Sequence, residues 1–243
     1  MRKLILLIFL IFSFTNCSKE HLFDCLKSTG DEITEIRNAN TFTKLNLKDD
    51  VDIILYSDTT PFVRVTAGEH LLEGIITEIE NDVLYIRNEN KCNWTRNFKN
   101  KYTVMIGMRN PEKIEIYGAG NITCADTIRT SEFFFDSWNA SGSFYLLFNN
   151  LKTHVNNHIG RADFHASGST NVAFAYINDV ATLDFSNLKT ELFYMRSSTT
   201  GDCKINVNSE LEAFLTYTGD VFYTGNLYKV EQQVSGSGRL IRY

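Results

Sequence analysis

A degenerate repeat in the second half of the chain constrains the fold more than any other feature. Each copy joins two short alternating apolar segments through a corner rich in Gly, Ser, Asn and Thr. The copies lie at residues 116–122, 140–144, 166–172, 199–203, 217–221 and 234–240. With a weaker copy at 185–188, the spacings between copies run from about fourteen to thirty residues and cluster near twenty, as expected of a solenoid repeat. Because Gly and Asn accept positive φ at low cost, each corner predicts a bend between strands.

One such rung cannot bury its apolar side alone, so rungs must stack and share a continuous core. The directional repeat and the lack of Asn-Gly turns favour an all-β chain folded as a β-helix or β-solenoid of short strands. An immunoglobulin-like β-sandwich is the alternative. The positions predicted to face the core are Ile122, Cys124, Phe133, Phe135, Val172, Phe174, Leu183, Phe185, Leu192, Tyr194, Val207, Phe214, Val221 and Tyr223.

The first half of the domain shows alternating segments without the repeat. Residues 45–47 and 51–55 suggest a hairpin that turns at residues 48–50, and a second turn is expected at Asn81 and Asp82. Residues 68–73 could form one turn of helix. Paired strands are therefore expected ahead of the solenoid.

The N-terminus has the layout of a secretory signal. Arg2 and Lys3 precede an apolar run at residues 4–12, and Cys17 follows before the chain turns polar. That run is about half the ~20 residues that a membrane-spanning helix needs. Cys17 ends a segment that resembles a bacterial lipobox, which implies acylation of this cysteine after cleavage. An ordinary cleaved signal is the alternative interpretation.

These features divide the chain into a signal peptide at 1–16, a lipidated segment at 17–39 and a single β-helical domain at 40–243. We expect an exported protein held to the cell envelope through its lipid, with the outer membrane as its site. The sequence leaves open which face of the membrane it occupies.

Four cysteines remain beyond Cys17, an even number in a chain sent to an oxidising compartment. Cys25 and Cys92 stand in polar surroundings, so packing does not explain them, and we expect a Cys25–Cys92 disulfide. Cys124 and Cys203 each continue an apolar alternation, which favours buried thiols that act as small hydrophobic side chains. A second disulfide, between Cys124 and Cys203, is the alternative interpretation.

The net charge and the motifs of the sequence limit the classes of function that the chain can have. The formal charge of −5 offers no electrostatic footprint for nucleic acid. The motif search predicts no catalytic constellation, no metal site and no cofactor. His154 and His158 are interpreted as solvent-facing, and Asp163 with His165 as neighbours on a solvated strand face. Trp94 and Trp138 each stand beside an asparagine turn residue and are the candidates for surface binding, with packing at a corner as the alternative.

Taken together, the lipobox, residues 24–30 (DCLKSTG), the Ser-Gly-Ser corners and the ending at 211–240 resemble the putative auto-transporter adhesin, head GIN domain family. The resemblance covers roughly residues 40–243 and implies a right-handed β-helix preceded by paired strands, on secreted or surface proteins without established enzymatic activity. Phe144 and Thr170 depart from it where a second Gly is expected, and Leu227 stands where Pro is expected.

The favoured function is a non-enzymatic lipoprotein that binds a protein or glycan at the cell envelope. A structural partner in an envelope assembly is one alternative, and an exposed apolar patch would favour it. A carbohydrate-active enzyme is the other alternative, and a pair of carboxylates about 5 to 10 Å apart in a groove would favour that.

Overall fold

The structure is a computed structural model that describes residues 28–57, 60–91 and 101–243. These residues form a curled β-solenoid of about six turns, with 65% of residues in strands. The predicted all-β solenoid is thereby confirmed over the β-sandwich. The early strands are β1 Glu32–Arg37, β2 Lys44–Leu47, β3 Asp52–Ser57, β4 Phe62–Gly68, β5 Ile75–Glu80, β6 Val83–Asn88, β7 Thr103–Met108, β8 Lys113–Ile116 and β9 Ile122–Cys124. The later strands are β10 Glu132–Trp138, β11 Ser143–Ile159, β12 Asp163–Asp179, β13 Thr182–Thr199, β14 Cys203–Leu215, β15 Val221–Thr224, β16 Lys229–Val234 and β17 Leu240–Arg242.

Two stacks of parallel strands enclose the core. The first stack runs β6, β2, β8, β10, the second halves of β11 to β14, and β16. The second stack runs β7, β3, β9, the first halves of β11 to β14, β15 and β17. The long strands β11 to β14 therefore cross a corner and serve both stacks. Each rung contributes one strand to each side.

The predicted antiparallel strands are present at one end of the solenoid, but they do not all precede it, because β2 and β3 already lie in the two parallel stacks. β1 pairs with β4, β4 with β7, and β5 with β6. The turn between β5 and β6 uses Asn81 and Asp82 at φ 49° and 68°, which confirms that hairpin. The predicted single turn of helix is a 3₁₀ helix at Glu69–Gly74.

The predicted hairpin of residues 45–55 is wrong. β2 pairs with β6 and β8, whereas β3 pairs with β7 and β9, so the two strands lie in different stacks. Asp49, at φ 66°, turns the chain through a solenoid corner instead. The next corner sits directly on it, because a Cβ on Gly118 would lie 1.8 Å from the Asp49 carbonyl oxygen. Only glycine permits this approach.

Phenylalanine rings dominate the core. Phe135 lies 4.9 Å from Phe144 and 5.5 Å from Phe164 between ring centroids, and all three are fully buried. Phe144 is therefore a core residue rather than a degraded corner. Thr170 is also buried, and its hydroxyl donates to the Val172 carbonyl at 3.3 Å.

The predicted inward phase is wrong along part of the first stack. Phe174, Tyr194 and Phe214 point outward there, as do Val172 and Leu192. The buried positions are their neighbours Ala173, Ala175, Phe193, Met195, Ala213 and Leu215. Along β12 and β13 both alternating faces carry apolar side chains, so period-two alternation alone could not choose between them. On β14 the outward face of Phe214 also carries Glu210 and Glu212, so the alternation there does indicate the observed phase.

The prediction for Cys124 and Cys203 holds. Both are buried, free thiols. Cys124 is in register with Leu55 and Cys203 with Leu183, so the two cysteines occupy neighbouring inward positions on different rungs. Burial raises the pKa of each thiol to about 12.

Candidate functional site

A ladder of stacked rings runs along the outer face of the first stack. Phe134, His154, Phe174 and Tyr194 occupy matching positions on four successive strands. Their centroids lie 4.3, 4.5 and 5.0 Å apart, and successive ring planes differ by 13°, 5° and 11°. We call these four residues the aromatic ladder. Parallel strands lie about 4.8 Å apart, which is the distance at which flat rings on neighbouring rungs stack.

The ladder ends at Tyr194, which is 39% exposed. On the next rung its matching position is Glu212 rather than a ring. One face of the tyrosine ring is therefore turned toward a carboxylate instead of a neighbouring aromatic side chain. A phenol held in this way can offer its face to a ligand and its hydroxyl to water.

A second column of side chains runs beside the ladder, two residues further along each strand. It consists of Tyr176, Arg196 and Phe214, and the Arg196 guanidinium lies 5.8 Å from the centroid of the Phe214 ring. Two residues along a strand span about 6.6 Å. The space between the two columns is a shallow groove of about 280 Å³.

We call this space the ladder groove. Its lining consists of Asn156, Phe174, Ala175, Tyr176, Tyr194, Met195, Arg196, Glu212 and Phe214. The walls thus combine four aromatic rings with a guanidinium, a carboxylate and an amide. Small-molecule sites commonly combine apolar walls with a few convergent polar groups in this manner.

Carboxylates gather at the end of the groove nearest the C-terminus. Lys229 Nζ lies 3.5 Å from Glu210 Oε2 and 2.9 Å from Glu231 Oε1. The Tyr228 hydroxyl donates to Glu210 Oε1 at 2.6 Å, and this bond with the charge of Lys229 lowers the pKa of Glu210. Glu210 and Glu231 therefore share one lysine. Within the described residues, no cluster of three or more His, Cys, Asp or Glu side chains could hold a metal ion.

Trp138 stands at the far side of the same face, at the end of β10. It is 40% exposed and stacks on His158 at 3.6 Å between centroids. His158 Nε2 lies 3.5 Å from Asp136 Oδ1. Burial raises the pKa of Asp136, but hydrogen bonds from Asn156 and Lys113 outweigh it and leave that pKa below its usual value. Trp138 keeps its place as a predicted binding residue.

The histidines differ from the predicted solvated side chains. His154 and His158 do point outward, yet their side chains are only 21% and 28% exposed because rings cover them. Asp163 accepts a hydrogen bond from Thr182 Oγ1 at 2.7 Å, and His165 stacks on Tyr145 at 4.8 Å. Each therefore has its own structural partner.

The remaining predicted site residues lie outside the described residues. These are the lipidation site Cys17, the disulfide pair Cys25 and Cys92, and the surface tryptophan Trp94. In the part of the chain that is described, no helix is long and apolar enough to cross a membrane.

Sequence reasoning missed the ladder groove, although a signal for it exists. The ladder residues recur at positions 134, 154, 174 and 194, the column beside them repeats at 176 and 196, and Trp138 precedes His158 by the same interval. Aromatic side chains that recur at the repeat length predict stacking on one face of a solenoid. The prediction that Phe174 and Tyr194 face the core, together with the interpretation of His154 as solvent-facing, conceals this signal.

The fold and this face define a class: a β-solenoid domain with a ligand-sized groove on an aromatic outer surface. The family model described as "Putative auto-transporter adhesin, head GIN domain" matches residues 41–226, and the chain belongs to this family. A search of curated proteins gives no match.

Solved structures share the fold at low sequence identity. A putative adhesin from Bacteroides fragilis is 17% identical with a TM-score of 0.80, and the match covers 88% of this chain and 97% of that one. A putative adhesin from Parabacteroides merdae is 15% identical with a TM-score of 0.68, covering 89% and 98%. A putative lipid binding protein from Parabacteroides distasonis is 12% identical with a TM-score of 0.66, covering 89% and 98%.

Proposed function

We propose that this chain is a non-enzymatic, lipid-anchored binding module of the cell envelope whose ladder groove takes a saccharide. The family and the structural neighbours described as adhesins support a surface binding or adhesion role. The saccharide and the lipid anchor go beyond those comparisons. The outer membrane is the proposed location, with the lipid on Cys17.

The partly exposed ring of Tyr194 at the end of the ladder carries the proposal. A pyranose ring presents C–H groups on one face and hydroxyls around its edge. An aromatic ring packs against the C–H face of the sugar. The hydroxyls at its edge need hydrogen-bonding groups nearby. Arg196 can donate to ring hydroxyls and Glu212 can accept from them, since both line the same groove as Tyr194. The groove therefore offers both kinds of contact within one sugar's length.

The lining also favours a neutral sugar over a strongly charged one. Arg196 and Glu212 bring opposite charges to the same groove, so their fields largely cancel for an ion that approaches from solvent. The volume of about 280 Å³ suits one or two sugar units rather than an enclosed small molecule. An open groove on a solenoid flank also allows a polysaccharide to continue past it at both ends.

Glycan arrays probed with the purified chain, followed by calorimetry on the sugars that bind, test the groove. Tyr194→Ala should weaken binding about two- to tenfold, as expected for loss of one aromatic contact. Tyr145→Ala is the matched control, because Tyr145 is 49% exposed and also stacks on one ring, His165, but lies on the second stack. No binding by wild type, or equal losses in both variants, would reject the groove.

The anchor is tested separately. Metabolic labelling with an alkyne fatty acid should tag the wild-type protein and leave Cys17→Ser unlabelled. Labelling that persists in Cys17→Ser would place the lipid elsewhere, and no labelling of wild type would support the ordinary cleaved signal.

A further inference from the structure

The C-terminal end of the solenoid exposes positions that every preceding rung buries. Val230 and Val234 on β16 align with Leu211 and Leu215 on β14. The two leucines are each 1% exposed, whereas the valines are 41% and 44% exposed. Val230 and Val234 thus occupy core positions that no further rung covers within the described residues. The residue pairings of β16 are with β14 alone in this part of the chain, so its other edge is open there.

The opposite end of the solenoid is built differently. There β5 pairs antiparallel with β6, and β4 and β1 extend the second stack beyond β7. Apolar residues of these added strands are themselves fully buried, including Val65 on β4 and Ile75 on β5. One end of the core therefore carries its own cap, and the other ends in an apolar edge. Natural sheets seldom leave such an edge without protection.

The sequence of β16 is complementary to itself in one antiparallel register. If Gln232 lies opposite Gln232 of a second copy, Val230 faces Val234 of that copy and Val234 faces its Val230. On the outer side, Glu231 faces Gln233. Directly opposed side chains share a face of an antiparallel pair, so all inward positions meet apolar or amide groups.

The two neighbouring registers bring together less favourable pairs of side chains. Shifting the centre to Glu231 places two glutamates opposite each other and pairs each Val230 with Gln232. Like charges directly opposed in a strand pair are destabilising. Shifting the centre to Gln233 pairs Val234 with Gln232 and leaves Val230 beyond the paired segment. Apolar burial and charge therefore select the same register.

We propose that a second copy of this chain binds at this edge, with β16 pairing antiparallel to β16 about a two-fold axis through Gln232. Such an isologous contact uses the same edge on both copies, so assembly stops at the dimer. It continues the first stack from one copy into the next and covers the exposed valines. The contact uses neither the ladder groove nor Trp138.

The dimer has a geometric consequence. From β6 to β16 the first stack spans eight strand spacings, roughly 40 Å at about 4.8 Å each. The earliest described residues lie at the capped end, where Ser28 Oγ is 3.3 Å from His70 Nδ1. The earliest described residues of the two copies would therefore lie on opposite sides of the dimer, roughly 80 Å apart. With the lipid anchor of the proposed function, on which this consequence rests, the two copies would be anchored in facing membranes.

The self-association is tested with the mature chain in solution, which makes the result independent of lipid and saccharide. Sedimentation velocity over a concentration series should show a monomer–dimer equilibrium for wild type. Val230→Lys should weaken the dimer by at least about tenfold, because each lysine would face a valine at a buried position. Val180→Lys is the control, since Val180 is 42% exposed at a corner away from the edge.

A mixing experiment fixes the register and guards against misfolding. Val230→Lys and Val234→Glu should each be monomeric alone and should form a heterodimer when mixed, because position 230 of one copy faces position 234 of the other. Gln232→Cys should form a disulfide-linked dimer on mild oxidation, and Val180→Cys should not.

Wild type that stays monomeric at every concentration overturns the proposal, as does failure of Gln232→Cys to cross-link faster than Val180→Cys. Wild-type dimers that Val230→Lys leaves intact would place the contact elsewhere and overturn it equally.

Discussion

Phe193 and Tyr194 are adjacent, yet the structure predicts very different costs for removing their side chains. Phe193 is 1% exposed and faces the core between Ala173 and Leu211 of the neighbouring rungs. Replacing a buried Phe with Ala costs about 3 to 5 kcal/mol. Tyr194 is 39% exposed and stacks on Phe174 at 5.0 Å. Loss of one aromatic pair at a surface costs about 0.5 to 1.5 kcal/mol.

Urea unfolding measures this difference directly. At an m value of about 2 kcal/mol/M, Phe193→Ala should lower the midpoint by about 2 M and Tyr194→Ala by about 0.5 M. Circular dichroism and tryptophan fluorescence should give coincident transitions, which checks that unfolding is all-or-none. Equal losses, or a larger loss for Tyr194→Ala, would mean that the strand has the opposite phase. The ladder and its groove would then lie inside the solenoid and could bind nothing.

Three further predictions concern titration and the cysteines. The pKa of Asp136 is lowered from its usual 3.8, so its contribution to stability is present above about pH 4 and lost as pH falls through the lowered value. The stability difference between wild type and Asp136→Asn should accordingly shrink in urea titrations below about pH 4, and a constant difference would contradict this. Cys124 and Cys203 should resist thiol reagents in the native protein at pH 8 and react in denaturant, as peptide mapping can show, because burial raises both pKa values to about 12. Non-reducing peptide mapping of the exported protein should find Cys25 linked to Cys92, and free thiols at both positions would refute the bridge.

The solenoid could be predicted because its corners are chemically distinctive. Gly118 and the glycines that follow it at the repeat length leave room for one corner to sit on the previous one, and that requirement is visible in the residues themselves. The hairpin assigned to residues 45–55 failed for a related reason. A residue such as Asp49 at positive φ serves a solenoid corner as well as a hairpin turn, and only the pairing partners of β2 and β3 separate the two.

The outward face that carries the aromatic ladder could not be predicted from alternation. Along β12 and β13 both phases are apolar, since Ala173 and Phe193 alternate with Phe174 and Tyr194. The core takes small side chains at some of these positions, since Ala175 is in register with Val155, and Val155 with Phe135. Choosing the phase required the register between rungs, which a single sequence does not contain.

The most direct test of the proposed saccharide site in the ladder groove is a crystal structure of the chain with the saccharide that binds most tightly on the array. We predict a sugar ring in the ladder groove, packed against the Tyr194 ring, with hydroxyls bonded to Arg196 and Glu212. Sugar density against Tyr145 on the second stack, or along the open edge of β16, would contradict the account.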